Sequence, residues 1–188
     1  MPGRILVFGV SGVGKSAACA RFAEANRRFF HLRASDLLSE ATGRRPEALR
    51  TAPEGAIRRN QLLLAEALDR RAAALGDAMV LLDSHAVIDN DAALIRVPVD
   101  AVAALRPHGM LLLEASPKVV LQRRRAEGRV RPGRTLHDLA REISAERDAV
   151  LEYHRALTVP LETTWAEPTA RLDPAISALL RRIRPGQT

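Results

Sequence analysis

The sequence predicts an α/β fold of three layers, with helices on both faces of a five-stranded parallel sheet. Two observations carry this reading. Short apolar runs alternate with stretches of helical periodicity along the whole chain. The runs at 78–83 and 110–115 are apolar at almost every position, as strands are when helices cover both sides of a sheet. No repeat, low-complexity segment or linker divides the 188 residues, so one domain spanning 1–188 is expected.

The elements follow in order. Residues 4–8 are short, apolar and β-branched and read as the first strand; the Ala-rich stretch 16–25 reads as a helix. Residues 29–34 form a second strand, with Ser35 and Asp36 capping a helix over 37–41. Gly43, Pro46 and Pro53 break the stretch 42–53, which carries Arg44, Arg45 and Arg50. A long helix is predicted over 56–75, with Ile57, Leu64, Ala67, Leu68 and Ala72 on one face, stopped at Gly76. The strand at 78–83 comes next, then a short helix over 101–105 and the strand at 110–115. Ser116-Pro117 opens a helix over 118–126. A basic Gly/Pro-bearing loop, a long amphipathic helix over 136–157, an edge-like strand over 160–165 and a helix capped by Asp173-Pro174 complete the chain.

Between the first strand and the first helix lies Gly9-Val10-Ser11-Gly12-Val13-Gly14-Lys15-Ser16. This fits the phosphate-binding loop G-x-x-x-x-G-K-[ST] in its required strand–helix context. Glycines let backbone N–H groups curl around phosphate oxygens, and the helix N-terminus adds partial positive charge. Gly9, Gly12, Val13, Gly14, Lys15, Ser16 and Ala17 are therefore the predicted triphosphate-binding residues, with ATP as cofactor. Lys15 reaches the β- and γ-phosphates, and Ser16 ligates Mg²⁺. Asp83 closes the strand at 78–83, where parallel sheets place ligands; it is the expected acid that holds Mg²⁺ through water. The motif makes the protein a phosphate-loop (P-loop) NTPase.

A net charge of +7 comes almost wholly from arginine, since Lys15 and Lys118 are the only lysines. With aromatics at 3%, the chain has few platforms on which bases could stack. An anionic small-molecule substrate beside a solvated basic surface is thus preferred over nucleic acid or a ribosome as partner. A single cysteine, Cys19, excludes an intrachain disulfide and a cysteine-rich zinc site, and reads as a small buried hydrophobe. No apolar stretch approaches a membrane span and no leader is evident at the N-terminus, so a cytoplasmic protein is expected.

The arginines narrow the chemistry. Phosphoryl transfer needs cations around a charge-dense transition state and removal of water, and the planar guanidinium fork grips two phosphate oxygens at once. Arg123, Arg124, Arg125, Arg129, Arg131 and Arg134 crowd a helix end and a loop, and a lid over about 123–135 fits them.

At this point the chain resembles the archaeal-type adenylate kinases and their adenylate-kinase-like ATPase relatives. The matching pieces are Gly9–Ser16, Leu82-Asp83-Ser84-His85, Leu105-Arg106-Pro107, Leu113-Glu114-Ala115-Ser116-Pro117, Arg123-Arg124, Arg129-Val130-Arg131 and Arg147. Arg50 and Gln61, eleven residues apart, keep the family's Arg-to-Gln spacing. The resemblance covers roughly residues 4–165 and implies a nucleoside monophosphate kinase-like fold. It implies that Lys15, Ser16 and Asp83 serve ATP and Mg²⁺. Arg50 would hold an acceptor monophosphate and Gln61 would face its base. Ser35 and Asp36 would belong to the same acceptor-binding arm, over about 35–75. Arg124, Arg129, Arg131 and Arg147 would clamp the transferring group. His85 either shapes the pocket or activates water, as in the ATPase relatives. The pattern differs at Ser84 (threonine in the kinases), at Pro132 (usually an acid), in a slightly shorter lid and in the acidic stretch 88–91.

The implied reaction is ATP + AMP to two ADP. The alternatives are an ATPase that switches an RNA or ribosomal assembly, and a kinase for a non-nucleotide small molecule.

Overall fold

The computed structural model describes residues 3–127, 133–167 and 171–183. Seven strands form in these residues: β1 (Arg4–Phe8), β2 (Phe29–Arg33), β3 (Met79–Asp83), β4 (Val87–Asp89), β5 (Leu94–Arg96), β6 (Gly109–Glu114) and β7 (Leu161–Trp165). Five build one sheet in the order β2-β3-β1-β6-β7, and every neighbouring pair is parallel. The predicted five-stranded parallel sheet is therefore present.

Its three interior strands β3, β1 and β6 have a core on each face, which is why their sequences are apolar apart from a residue at one end or the other. Period-2 alternation sends successive side chains to opposite faces. Leu6, Phe8 and Leu82 pack with Leu64, Leu68, Val150 and Tyr153 in one core. Ile5, Val7 and Leu81 pack with Cys19, Val120, Leu139 and Leu179 in the other.

The helices that cover these faces are α1 (Lys15–Ala25), α2 (Ala34–Thr42), α3 (Pro46–Arg50), α4 (Glu54–Ala73), α5 (Val99–Ala104), α6 (Pro117–Ala126), α7 (Leu136–Leu157) and α8 (Asp173–Arg182). Thr135 and Asp138 cap α7 reciprocally, each side chain bonding the other's backbone N–H. None of the described helices is long and apolar enough to cross a membrane.

The structure corrects two local expectations. Ser35 and Asp36 do not cap α2; the helix already starts at Ala34, and Ser35 bonds Asp36 at 3.1 Å instead. Asp173 does not cap α8 either, because it lies inside the first turn with Leu172 at the cap. Both acids still sit favourably in the positive end of a helix dipole. The acidic stretch near Asp89 is a hairpin, in which β4 pairs antiparallel with β5. Three-residue strands carry too little periodicity to announce themselves in a sequence.

Register places the chemistry. Val7 pairs with Asp83, and the Ser84 N–H donates to the Val7 carbonyl at 3.0 Å. The loop after β1 and the segment after β3 thus leave the sheet side by side.

Candidate active site

Gly9 must be glycine: its φ is 144°, and a Cβ there would lie 2.4 Å from the Leu113 carbonyl oxygen. Gly12, at φ 81°, lets Arg124 pass so closely that a Cβ would stand 2.8 Å from its Cγ. Gly14 is the N-cap of α1, whose first turn holds no acid to offset the dipole.

Lys15 is buried, with Nζ donating to the Gly9 carbonyl and, at 3.2 Å, to that of Val10. Its ammonium lies 3.9 Å from Asp83. Burial lowers the Lys15 pKa, while Asp83 and Glu146 work against that shift. The Ser16 hydroxyl donates directly to Asp83. Burial pushes the Asp83 carboxyl up, but nearby His31, Lys15, His85 and Ser16 together hold it well below the usual carboxylate range. Asp83 is thus a carboxylate at neutral pH, facing the hydroxyl and the ammonium of the loop.

His85 borders the same space, with Nδ1 2.9 Å from the Gly9 carbonyl and 3.4 Å from Lys15 Nζ. A carbonyl only accepts, so Nδ1 carries the proton. Burial, followed by repulsion from Lys15, pushes the ring's pKa down to about 3, and the imidazole is neutral.

Arginines brace the loop from α6. Arg123 donates to the Val13 and Ala166 carbonyls. Arg124 donates to the Ser11 carbonyl at 2.9 Å and to the buried Glu142 at 2.6 Å. Arg147 turns to Glu114 at 2.7 Å and is not among the residues lining the main cavity. Arg129 and Arg131, the other predicted clamps, lie outside the described residues.

That cavity measures about 1170 Å³. Gly12, Gly14, Lys15, Ser16 and Ala17 line one end with Asp83, His85 and Arg124. Ser35, Asp36, Arg50 and Gln61 line it too, so the two halves predicted from sequence share one space. Gly9 and Val13 do not reach it; Gly9 works through its backbone and Val13 is buried in the core. Arg50 is held by acids: it donates to Glu47, to both oxygens of Asp91 and to the Asp89 carbonyl. Arg134 forks onto Asp89 at 2.6 and 3.0 Å. The hairpin tip therefore links the arm bearing Arg50 to Arg134, at the far end of the predicted lid.

Sequence reasoning missed the acids of α7. Leu139, Glu142, Glu146, Ala149, Val150 and Tyr153 form its buried face. Glu142 and Glu146 interrupt an apolar stripe, and that interruption was the available signal. Glu114 at the end of β6 is buried as well, as is Asp83.

Comparison with known proteins agrees with this geometry. The sequence profile of the AAA domain family matches residues 8–149. Over 173 residues the chain is 26% identical to adenylate kinase from Pyrococcus horikoshii, a match covering 88% of this chain and 81% of that protein. The fold superposes on shikimate kinase from Bacteroides thetaiotaomicron with a TM-score of 0.59 at 18% identity, covering 96% of this chain and 95% of that one. With its phosphate loop, its facing acid and its five-stranded parallel sheet, the chain belongs to the AAA domain family and is an adenylate-kinase-like member of the phosphate-loop kinase fold.

Proposed function

We propose that the protein transfers the γ-phosphoryl group of ATP to a nucleoside monophosphate, with AMP the preferred acceptor. The observation that carries this is the single cavity that holds both halves. At about 1170 Å³ it exceeds the roughly 300–1,000 Å³ of a site for one small ligand. The loop end fits a triphosphate, and the end near Arg50 and Gln61 has room for a second nucleotide.

Ser16 and Asp83 offer two hard oxygen donors, which suits Mg²⁺, an ion that keeps most of its waters. An ion held there would supply neutralisation of charge on the triphosphate. Lys15 would turn from the Gly9 and Val10 carbonyls toward the same phosphates. An acceptor phosphate is already ionised at neutral pH, so positioning and charge neutralisation carry the reaction without a general base. Arg124 would face the transferring group from the loop's outer side. Arg129 and Arg131 would add the lid's charge, and Arg147 would join them by leaving Glu114.

A second reading has a specific observation behind it. Arg50 is already satisfied by Glu47 and Asp91, and Asp36 and Asp89 also line the cavity. Carboxylates recognise hydroxyls and amines, which suits a kinase for a polar non-nucleotide acceptor.

The test is incubation with ATP and Mg²⁺ plus AMP, CMP, UMP or GMP in turn, following nucleoside diphosphate formation. AMP-dependent ADP formation well above ATP-only hydrolysis is expected, and Lys15→Met should abolish it. Hydrolysis indifferent to every monophosphate would overturn the proposal and favour the ATPase or the small-molecule kinase.

A further inference from the structure

Glu146 is the most deeply buried acid of the molecule's site, at 1% exposure, and no arginine or lysine side chain bonds it among the described residues. A carboxylate taken out of water costs several kcal/mol unless donors compensate it. Here the donors are three backbone N–H groups. Gly9 N–H donates to Oε1 at 2.8 Å, Ala86 N–H to Oε1 at 3.0 Å and Val87 N–H to Oε2 at 2.7 Å.

These amides belong to two different segments. The parallel ladder between β1 and β3 ends at the bond from Ser84 N–H to the Val7 carbonyl. Beyond it one chain turns into the phosphate loop and the other runs past His85 into β4. Glu146 spans the gap that the ladder leaves, from the third layer. Without it, three buried N–H groups would lose their partner.

Gly9 is a junction between two peptide units. The N–H of the unit before its Cα is held by Glu146, while the carbonyl of the unit after it accepts from Lys15 Nζ and His85 Nδ1. Holding the first unit anchors the backbone from which the second, and with it the contact to Lys15, departs.

We propose that Glu146 is a positioning residue of the triphosphate site, clasping Gly9 to the Ala86–Val87 backbone so that the phosphate loop and Asp83 face each other at working distance. The inference rests on the nucleotide-binding reading of the loop and adds a residue that touches neither nucleotide. An apolar side chain would fill the same volume, so packing alone gives no reason for a carboxylate here.

Glu146→Gln tests it. The substitution keeps the volume and one acceptor oxygen but turns an NH₂ toward a backbone N–H. Calorimetry with ATP–Mg²⁺ should show binding weakened roughly tenfold, the loss expected when a buried N–H loses its acceptor. The KM for the acceptor should stay within about twofold. Tyr153→Phe is the matched control, because the Tyr153 hydroxyl bonds the carbonyls of Ala86 and Val97, on the same segment. It should lower thermal stability and leave ATP affinity within about twofold. Equal loss of ATP affinity in both variants, or unchanged affinity in Glu146→Gln, would overturn the proposal. If Glu146→Gln does not fold, amide exchange in the wild-type protein decides: Gly9, Ala86 and Val87 should be strongly protected, and exchange at the rate of free amides would overturn the clasp. Wild-type protein that binds no ATP would overturn the nucleotide reading itself, leaving the amide measurement to judge the clasp.

Discussion

At the scale of the residue, the site is a set of side chains that burial forces into defined states. His85 carries a measurable consequence. Its folded pKa of about 3 lies below the ordinary value of 6.5, so between these values the unfolded chain takes up a proton that the folded chain refuses. Stability from this group is complete above about pH 6.5 and is lost as the pH falls toward 3. The slope is at most about 1.4 kcal/mol per pH unit, and less because the ring borders an open cavity. Urea unfolding at pH 7, 6 and 5 should show the midpoint falling, and His85→Gln should flatten that fall; an unchanged slope in the variant would show that His85 does not titrate in this way. The residues that sequence exposed were those with a contiguous signature, Gly9–Ser16 and the acid ending β3. Glu142 and Glu146 stayed hidden because acids on a long helix read as its solvated side. The apolar stripe they interrupt, from Leu139 to Tyr153, was the one mark that their face is internal.

At the scale of the element, the hairpin of β4 and β5 sets the ion pairs at the proposed acceptor end. It brings Asp91 against Arg50 and Asp89 against Arg134, joining parts of the chain that lie about 40 residues from it on either side. Such pairs are exchangeable, since a phosphate competes for a guanidinium on equal geometric terms. Asp91→Asn therefore discriminates between the two acceptor readings. If Arg50 takes the acceptor's phosphate, releasing it should lower the acceptor KM about threefold or more, with the ATP KM unchanged. A rise in acceptor KM would instead assign Asp91 to direct recognition of a hydroxyl or amine. The long strands and helices were legible because their apolar patterns run for many residues. The hairpin and α3 were not, because at three and five residues they are held by tertiary contacts rather than by local preference.

At the scale of the whole molecule, one parallel sheet gathers the loop, Asp83 and Glu114 at the C-terminal ends of its three interior strands, and the cavity opens there. Occupying both ends at once should stabilise more than occupying either. A dinucleoside pentaphosphate should raise the thermal midpoint above the value reached with ATP or AMP at the same concentration, following the mass-action gain of a tighter ligand. An equal shift with ATP alone would mean that the acceptor end is not engaged.

The two optical reporters of this protein divide between water and core. Trp165, the sole tryptophan, stands 55% exposed at the end of the edge strand β7, whereas Tyr153, the sole tyrosine, is wholly buried against Phe8. Tryptophan emission should already be water-like in the native state and shift little on denaturation. The near-ultraviolet tyrosine signal should vanish with the core. Unfolding followed by the first will look like almost nothing, and followed by the second like the collapse of the layer that holds Glu146 in place.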